Sequence, residues 1–228
     1  MSVYAIGKAI ERRGVFTGGP TDLFESAGRL QFYCLIREGL CPYSKVLDIG
    51  CGCLRAGYWL IRFLDPGCYF GIEPSIKMLQ AGIETCLTSD ILAAKQPRFD
   101  HNDCFDFSVF GVMFDVFLAR SIWTHASKQQ IQFMLDGFAR FSNPGAFFLT
   151  SYLPARLLRP AYEGSSWVGK SHQCDRGGLV RHSRKWLEQE CRIRHLTLEQ
   201  LPDKPFNEQY WLKIVNRERG CQASERRS

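Results

Sequence analysis

The stretch Lys45–Ser75 reads KVLDIGCGCLRAGYWLIRFLDPGCYFGIEPS, and its reading decides the fold. Apolar Val46-Leu47 leads into Asp48, Ile49 and a glycine pair, Gly50-Cys51-Gly52. A helix-like segment follows from Leu54 to Leu64, and Asp65-Pro66-Gly67 makes a turn. A second apolar run, Tyr69-Phe70-Gly71-Ile72, ends on Glu73. This is a strand, a tight glycine loop, a helix and a parallel strand with an acidic tip. Such a unit binds a nucleoside-containing cofactor at the carboxyl ends of its strands.

Gly50 and Gly52 let the backbone turn sharply and leave no Cβ between chain and ligand. The helix behind them offers unpaired N–H groups at its start. Glu73 stands about 20 residues past the loop, where a carboxylate can accept both hydroxyls of a ribose. A nicotinamide dinucleotide wants a third glycine three residues after the second. Arg55 stands there and the next glycine is Gly57, so the pyrophosphate fingerprint is broken. Asp48 would repel a diphosphate and suits a cationic or amine-bearing ligand.

LDIGCG, a helix and then YFGIEPS resemble the S-adenosylmethionine-binding core of the class I methyltransferases. The resemblance implies an α/β, Rossmann-like three-layer sandwich, with a mostly parallel seven-stranded sheet and the last strand antiparallel. It implies S-adenosyl-L-methionine as cofactor, with Asp48, Gly50, Cys51 and Gly52 around its methionine part and Glu73 on its ribose. The commonest family loop has a further glycine two residues after Gly52, where this chain has Leu54. Gly28-Arg29-Leu30-Gln31, together with Gly52 to Gly57, resembles a bacterial-type subgroup acting on small molecules or glycans. Arg29 is then placed near the methionine carboxylate, against the alternative of a solvated helix arginine.

Residues 1–44 read as an N-terminal helical extension, with a short helix over Ala5–Arg13 and an amphipathic one over Asp22–Glu38 capped at Thr21-Asp22. The methyltransferase domain is expected over 45–217, and 218–228 reads as a flexible tail. Pro74-Ser75 opens a helix to about Thr88. Arg98–Asp103 holds a short third strand, whose Asn102 or Asp103 would meet the adenine edge by resemblance, or form an Asx turn. Phe114–Ser121 is a strand buried on both faces, with Ser121 at its cofactor end and SIWTH, residues 121–125, beyond it. Ser127 caps a helix over Lys128–Phe141, Asn143-Pro144-Gly145 turns, and Ala146–Tyr152 is the fifth strand. Pro154–His182 is rich in glycine and charge and reads as a lid insertion. A helix from Ser183 to about Cys191 and strands over Arg192–Leu198 and Gln209–Asn216 close the fold.

A sulfonium methyl is already activated, so positioning of the acceptor supplies much of the catalysis. A hydroxyl acceptor gains from a base, for which His125 ranks first and His172 of the lid second, with a packing or capping role as the alternative. Glu163, Asp175, Tyr162 and Trp167 are further lid candidates.

The chain has 228 residues, 45% hydrophobic and 23% charged, enough for one sizeable core. No apolar run reaches the roughly 20 residues of a bilayer span, and the N-terminus lacks a signal-peptide pattern. The expected location is cytoplasmic with no membrane partner. The net charge is +6, but no aromatic-interleaved basic stripe marks a nucleic-acid partner. The expected partner is a small-molecule or glycan acceptor, and a homodimer is allowed. Ten scattered cysteines without a Cys-x-x-Cys pair read as reduced, mostly buried thiols. His172, Cys174, His182 and Cys191 match no standard zinc spacing, so no metal is expected. The competing functions are an RNA or protein methyltransferase, a non-catalytic module on the same fold, and a nicotinamide oxidoreductase.

Overall fold

The computed structural model describes residues 5–169, 177–203 and 207–216. The chain divides into two compact units, residues 1–103 and 104–228. Among the described residues seven strands, β1 (Val46–Ile49), β2 (Tyr69–Ile72), β3 (Arg98–Asp100), β4 (Phe114–Ala119), β5 (Ser142–Tyr152), β6 (Leu196–Gln200) and β7 (Tyr210–Asn216), form one sheet in the order β3-β2-β1-β4-β5-β7-β6.

In the first unit, β1 (Val46–Ile49) pairs in parallel with β2 (Tyr69–Ile72), and β2 with β3 (Arg98–Asp100). β1 and β2 are buried along their whole length, as apolar parallel strands must be. Helices α1 (Ile6–Glu11), α2 (Phe24–Arg37), α3 (Gly57–Phe63), α4 (Ile76–Cys86) and α5 (Ser89–Lys95) complete it. α1 packs on α2 and α4, and α2 packs on α3. Gly28 makes that last contact close: a Cβ there would lie 2.2 Å from the Arg55 carbonyl oxygen.

Two expectations shift here. The Thr21-Asp22 cap is not made. α2 starts after Leu23 without a side-chain cap, and the Thr21 hydroxyl donates to Glu11 Oε1 at 2.9 Å instead. The helix expected from Ser75 to about Thr88 is α4, and α5 follows it over Ser89–Lys95, where no helix was expected. Ser75 caps α4 through the Met78 amide, and Thr88 caps α5 through the Ile91 amide.

In the second unit, β4 (Phe114–Ala119) pairs in parallel with β5 (Ser142–Tyr152). β7 (Tyr210–Asn216) runs antiparallel to both β5 and β6 (Leu196–Gln200). The turn expected at Asn143-Pro144-Gly145 lies inside β5, where the register shifts and Gly145 takes φ +81°. α6 (Lys128–Phe141) carries the full capping box foreseen in part at Ser127, with Gln130 returning the bond. Phe114, Phe117, Phe138 and Phe148 pack edge-on or tilted in the core, with ring centroids 5.0–6.0 Å apart. α7 (Arg184–Ile193) runs past Cys191, so the strand expected from Arg192 starts only at Leu196. Arg194, bonded to Glu190 and Asp136, holds the helix end, and His195 at φ +58° breaks it.

The glycine loop holds a test of its packing. Leu54 stands where the commonest loop has glycine, yet keeps a left-handed φ of +61° and is fully buried. Its conformation costs about 1–2 kcal/mol, and deleting a buried leucine side chain costs about 2–5 kcal/mol. Packing therefore wins. Leu54→Gly is expected to lower stability by about 2 kcal/mol, read as a lower urea midpoint at unchanged m-value. A variant more stable than the parent would show that strain, not packing, dominates this position.

Candidate functional site

The first unit gathers two buried carboxylates at the carboxyl ends of β1 and β2. Asp48 is 4% exposed and Glu73 is 2% exposed. Asp48 lies opposite Gly71 in the β1–β2 register, with Tyr69 two residues earlier on the same face. The Tyr69 hydroxyl donates to Asp48 Oδ2 at 2.8 Å. Burial, with a smaller push from Glu73, still raises the Asp48 carboxyl to about 7.

The loop between β1 and α3 is pinned to the acid at the end of β2. The Gly50 and Cys51 amides both donate to the Ile72 carbonyl, at 2.8 and 3.1 Å. Gly52, at φ +53°, donates its amide to Glu73 Oε2 at 2.9 Å, and the Ser75 amide donates to Glu73 Oε1 at 2.9 Å. These bonds fix the carboxylate plane and hold its pKa down, against the larger upward push of burial. A Cβ on Gly52 would come within 3.4 Å of Met78 Cε and 4.0 Å of Glu73 Oε2. Bare backbone therefore faces the acid.

Beyond β3, the His101 ring donates from Nδ1 to the Glu73 carbonyl oxygen at 3.0 Å. Asn102 donates from its backbone and side-chain amides to Asp100 Oδ1, at 2.8 and 2.6 Å. The Asx turn weighed for this stretch is thus present, built on Asp100. Asp103 is exposed. Arg29 is 61% exposed along its side chain and pairs with the buried Glu25 at 3.1 Å. The structure thus brings Asp48, the glycine loop and Glu73 together, and carries Arg29 on a helix salt bridge.

Sequence reasoning missed Tyr69, His101 and Arg55 in this neighbourhood. Tyr69 reaches the Asp48 face only through the β1–β2 register. Arg55, expected only as a break in the dinucleotide fingerprint, donates to the carbonyls of Thr17 and Pro20, at 3.2 and 3.4 Å. It also lies 5.2 Å from the Phe24 ring centroid. It ties the segment before α2 to the glycine loop, a contact no local pattern announces.

In the second unit, Ser121 lies two residues past β4, in the left-handed region at φ +64°. Its amide donates to Ser151 Oγ and its own Oγ accepts from Gln209 Nε2, both at 2.9 Å. Strained non-glycine residues of this kind cluster at functional sites. His125 is held by the segment Trp167-Val168. Its Nδ1 donates to the Val168 carbonyl at 2.6 Å, its own carbonyl accepts the Val168 amide, and its ring stacks on Trp167 at 5.4 Å. Burial lowers its pKa, against bonds to the Val168 and Gly178 backbone. His125 is thus fastened to Val168 through its ring and its carbonyl. His172, Asp175 and Cys174 lie outside the described residues. Among the described residues no group of three or more His, Cys, Asp or Glu could hold a metal ion.

Cys51, Cys53, Cys86 and Cys191 are buried and Cys104 is exposed. Burial pushes Cys53, Cys86 and Cys191 up to about 12, and Cys51 upward as well, with further push from Asp48 and Glu73. Iodoacetamide at pH 8 is expected to label Cys104 in the native chain while sparing Cys51, Cys53 and Cys86, as read by peptide mass mapping. Early labelling of Cys51 would contradict this packing.

No protein-family model matches the sequence, and no curated protein sequence matches it either. Solved structures resemble it. Magnesium protoporphyrin IX methyltransferase (ChlM) from Synechocystis PCC 6803 with bound SAM is similar at a TM-score of 0.61 and 16% identity, over 95% of this chain and 86% of that one. The glycopeptide N-methyltransferase MtfA with S-adenosyl-L-homocysteine is similar at 0.61 and 12% identity, over 84% and 90%. The PH0226 protein from Pyrococcus horikoshii OT3 is similar at 0.62 and 17% identity, over 90% and 98%. The likeness is one of fold. The chain has the class I S-adenosylmethionine-dependent methyltransferase fold, with the Rossmann-like sheet order 3-2-1-4-5-7-6 and its antiparallel β7.

Proposed function

We propose that this protein is an S-adenosyl-L-methionine-dependent methyltransferase acting on a small molecule or glycan, at oxygen. The observation that carries the reading is the pair of buried carboxylates, Asp48 and Glu73, on either side of a glycine loop whose Gly52 amide is already bonded to Glu73. Such a cradle repels a diphosphate and fits a ribose beside a cationic amino acid. Glu73 would hold the ribose hydroxyls, Asp48 the cationic methionine end, and Gly50 and Gly52, with Cys51 between them, would line the cofactor. Asn102 is the residue for the adenine edge.

When bound, the cofactor supplies an electrophilic methyl group. The chain orients it, excludes water and positions the acceptor. Of the two histidines expected as base, His125 is better suited to holding the lid. Its Nδ1 already serves the Val168 carbonyl, so we assign it to positioning. The buried cysteines Cys51, Cys53, Cys86 and Cys191, outside any disulfide, support a reducing compartment, the cytoplasm.

Incubation with S-adenosyl-L-methionine carrying a labelled methyl group tests the reading against three acceptor pools: small molecules and glycans, total RNA, and unfolded protein. Label is expected in the first pool. Label in the RNA or protein pool alone would replace the acceptor class. Absence of transfer to any pool, with cofactor bound, would leave a binding module on this fold.

A further inference from the structure

Arg156-Leu157-Leu158-Arg159 folds as a two-residue hairpin near the start of the lid. The Arg156 amide donates to the Arg159 carbonyl at 2.8 Å, and the Arg159 amide donates back at 2.9 Å. The two leucines form the tip, 98% and 92% exposed. Both arginines are exposed beside them. Single, partly covered apolar residues are normal on surfaces. Two adjacent leucines held out almost fully are not.

The tip stands on a fastened base. Pro154 bridges His182, the Ala155 amide donates to the His182 carbonyl, and the His182 amide donates to Leu153, both at 3.0 Å. Arg159 and Arg181 share Glu208, at 3.8 and 3.3 Å. Leu179, 53% exposed, leaves the same base.

We infer that this turn docks on an anionic lipid surface, with Leu157 and Leu158 entering the apolar layer and Arg156 and Arg159 meeting lipid phosphates. Two projecting side chains are too small a patch for a stable protein interface, but they suit a soft layer that closes around them. Flanking guanidiniums on apolar stems match the headgroup level. The net charge of +6 pulls in the same direction. Among the described residues no helix is long and apolar enough to cross a membrane, and a peripheral contact needs none. The inference stands apart from the methyl-transfer reading.

Co-sedimentation of the full chain with phosphatidylcholine vesicles, with and without phosphatidylserine, tests it. The chain is expected to pellet with the phosphatidylserine vesicles. Leu157→Ser with Leu158→Ser should lower the bound-to-free ratio at least about tenfold. Arg156→Gln with Arg159→Gln, or raised salt, should remove the preference for phosphatidylserine. All four side chains are exposed, so an unchanged melting temperature certifies the fold of each variant. Equal pelleting of the parent and the leucine variant, or no pelleting with either vesicle, would overturn the inference. So would a dimer on gel filtration that the leucine variant loses while neither protein binds vesicles, which would assign the tip to a second copy of the chain.

Discussion

Replacing Glu73 by glutamine is expected to weaken S-adenosyl-L-homocysteine binding about 100-fold, with the chain still folded. Glu73 is 2% exposed and accepts the Gly52 and Ser75 amides on its two oxygens. Glutamine fills the same volume, but turns one oxygen into an NH2 group that faces a backbone N–H. A ribose bound there would lose a charged acceptor, and the loop loses one of its pins. Charge-assisted hydrogen bonds are worth about 1.5–3 kcal/mol each, and about 2.7 kcal/mol is a factor of 100 in affinity. Calorimetry on parent and variant, with circular dichroism as the folding control, reads the effect. Equal dissociation constants would remove Glu73 from the cofactor site.

Asp48→Asn is expected to stabilise the free protein at alkaline pH while weakening cofactor binding. Burial raises the Asp48 carboxyl from 3.8 to about 7. Folding therefore takes up a proton between those values. The penalty is absent below the unfolded value of 3.8, grows as pH rises to about 7, and is level above it. Asparagine keeps an acceptor for the Tyr69 hydroxyl and carries no charge. The variant should gain roughly 2–4 kcal/mol at pH 8 and almost nothing near pH 4. Urea midpoints at the two pH values measure this, and an equal gain at both would contradict the assignment. In the parent, a cationic ligand favours ionised Asp48, so S-adenosyl-L-methionine binding should tighten as pH rises through about 7. In the variant that pH dependence should flatten.

These two residues were also the most legible in the sequence. A strand ending in an acid, a glycine pair and a second strand ending in an acid are local patterns, and the backbone can satisfy them in few ways. Leu54 shows the limit of reading such a motif by residue type. The left-handed conformation persists without the glycine because the buried side chain outweighs its strain. The end of α7 was misread because Arg194 is anchored to Asp136, 58 residues away in sequence, and no window around Arg192 contains that partner. The clasp on His125 was illegible for the same reason, since Val168 lies 43 residues on. Tyr69 was hidden differently. It reads as one more apolar strand residue, and only the β1–β2 register turns its hydroxyl towards Asp48.

The proposed cradle of Asp48, the glycine loop and Glu73 would take a ribose and a cation and refuse a diphosphate. Calorimetric titration of the parent chain with S-adenosyl-L-homocysteine, beside NADH under the same conditions, tests that most directly. A dissociation constant on the order of micromolar is expected for the first ligand, and no heat of binding for the second. Binding of NADH without binding of S-adenosyl-L-homocysteine would contradict it.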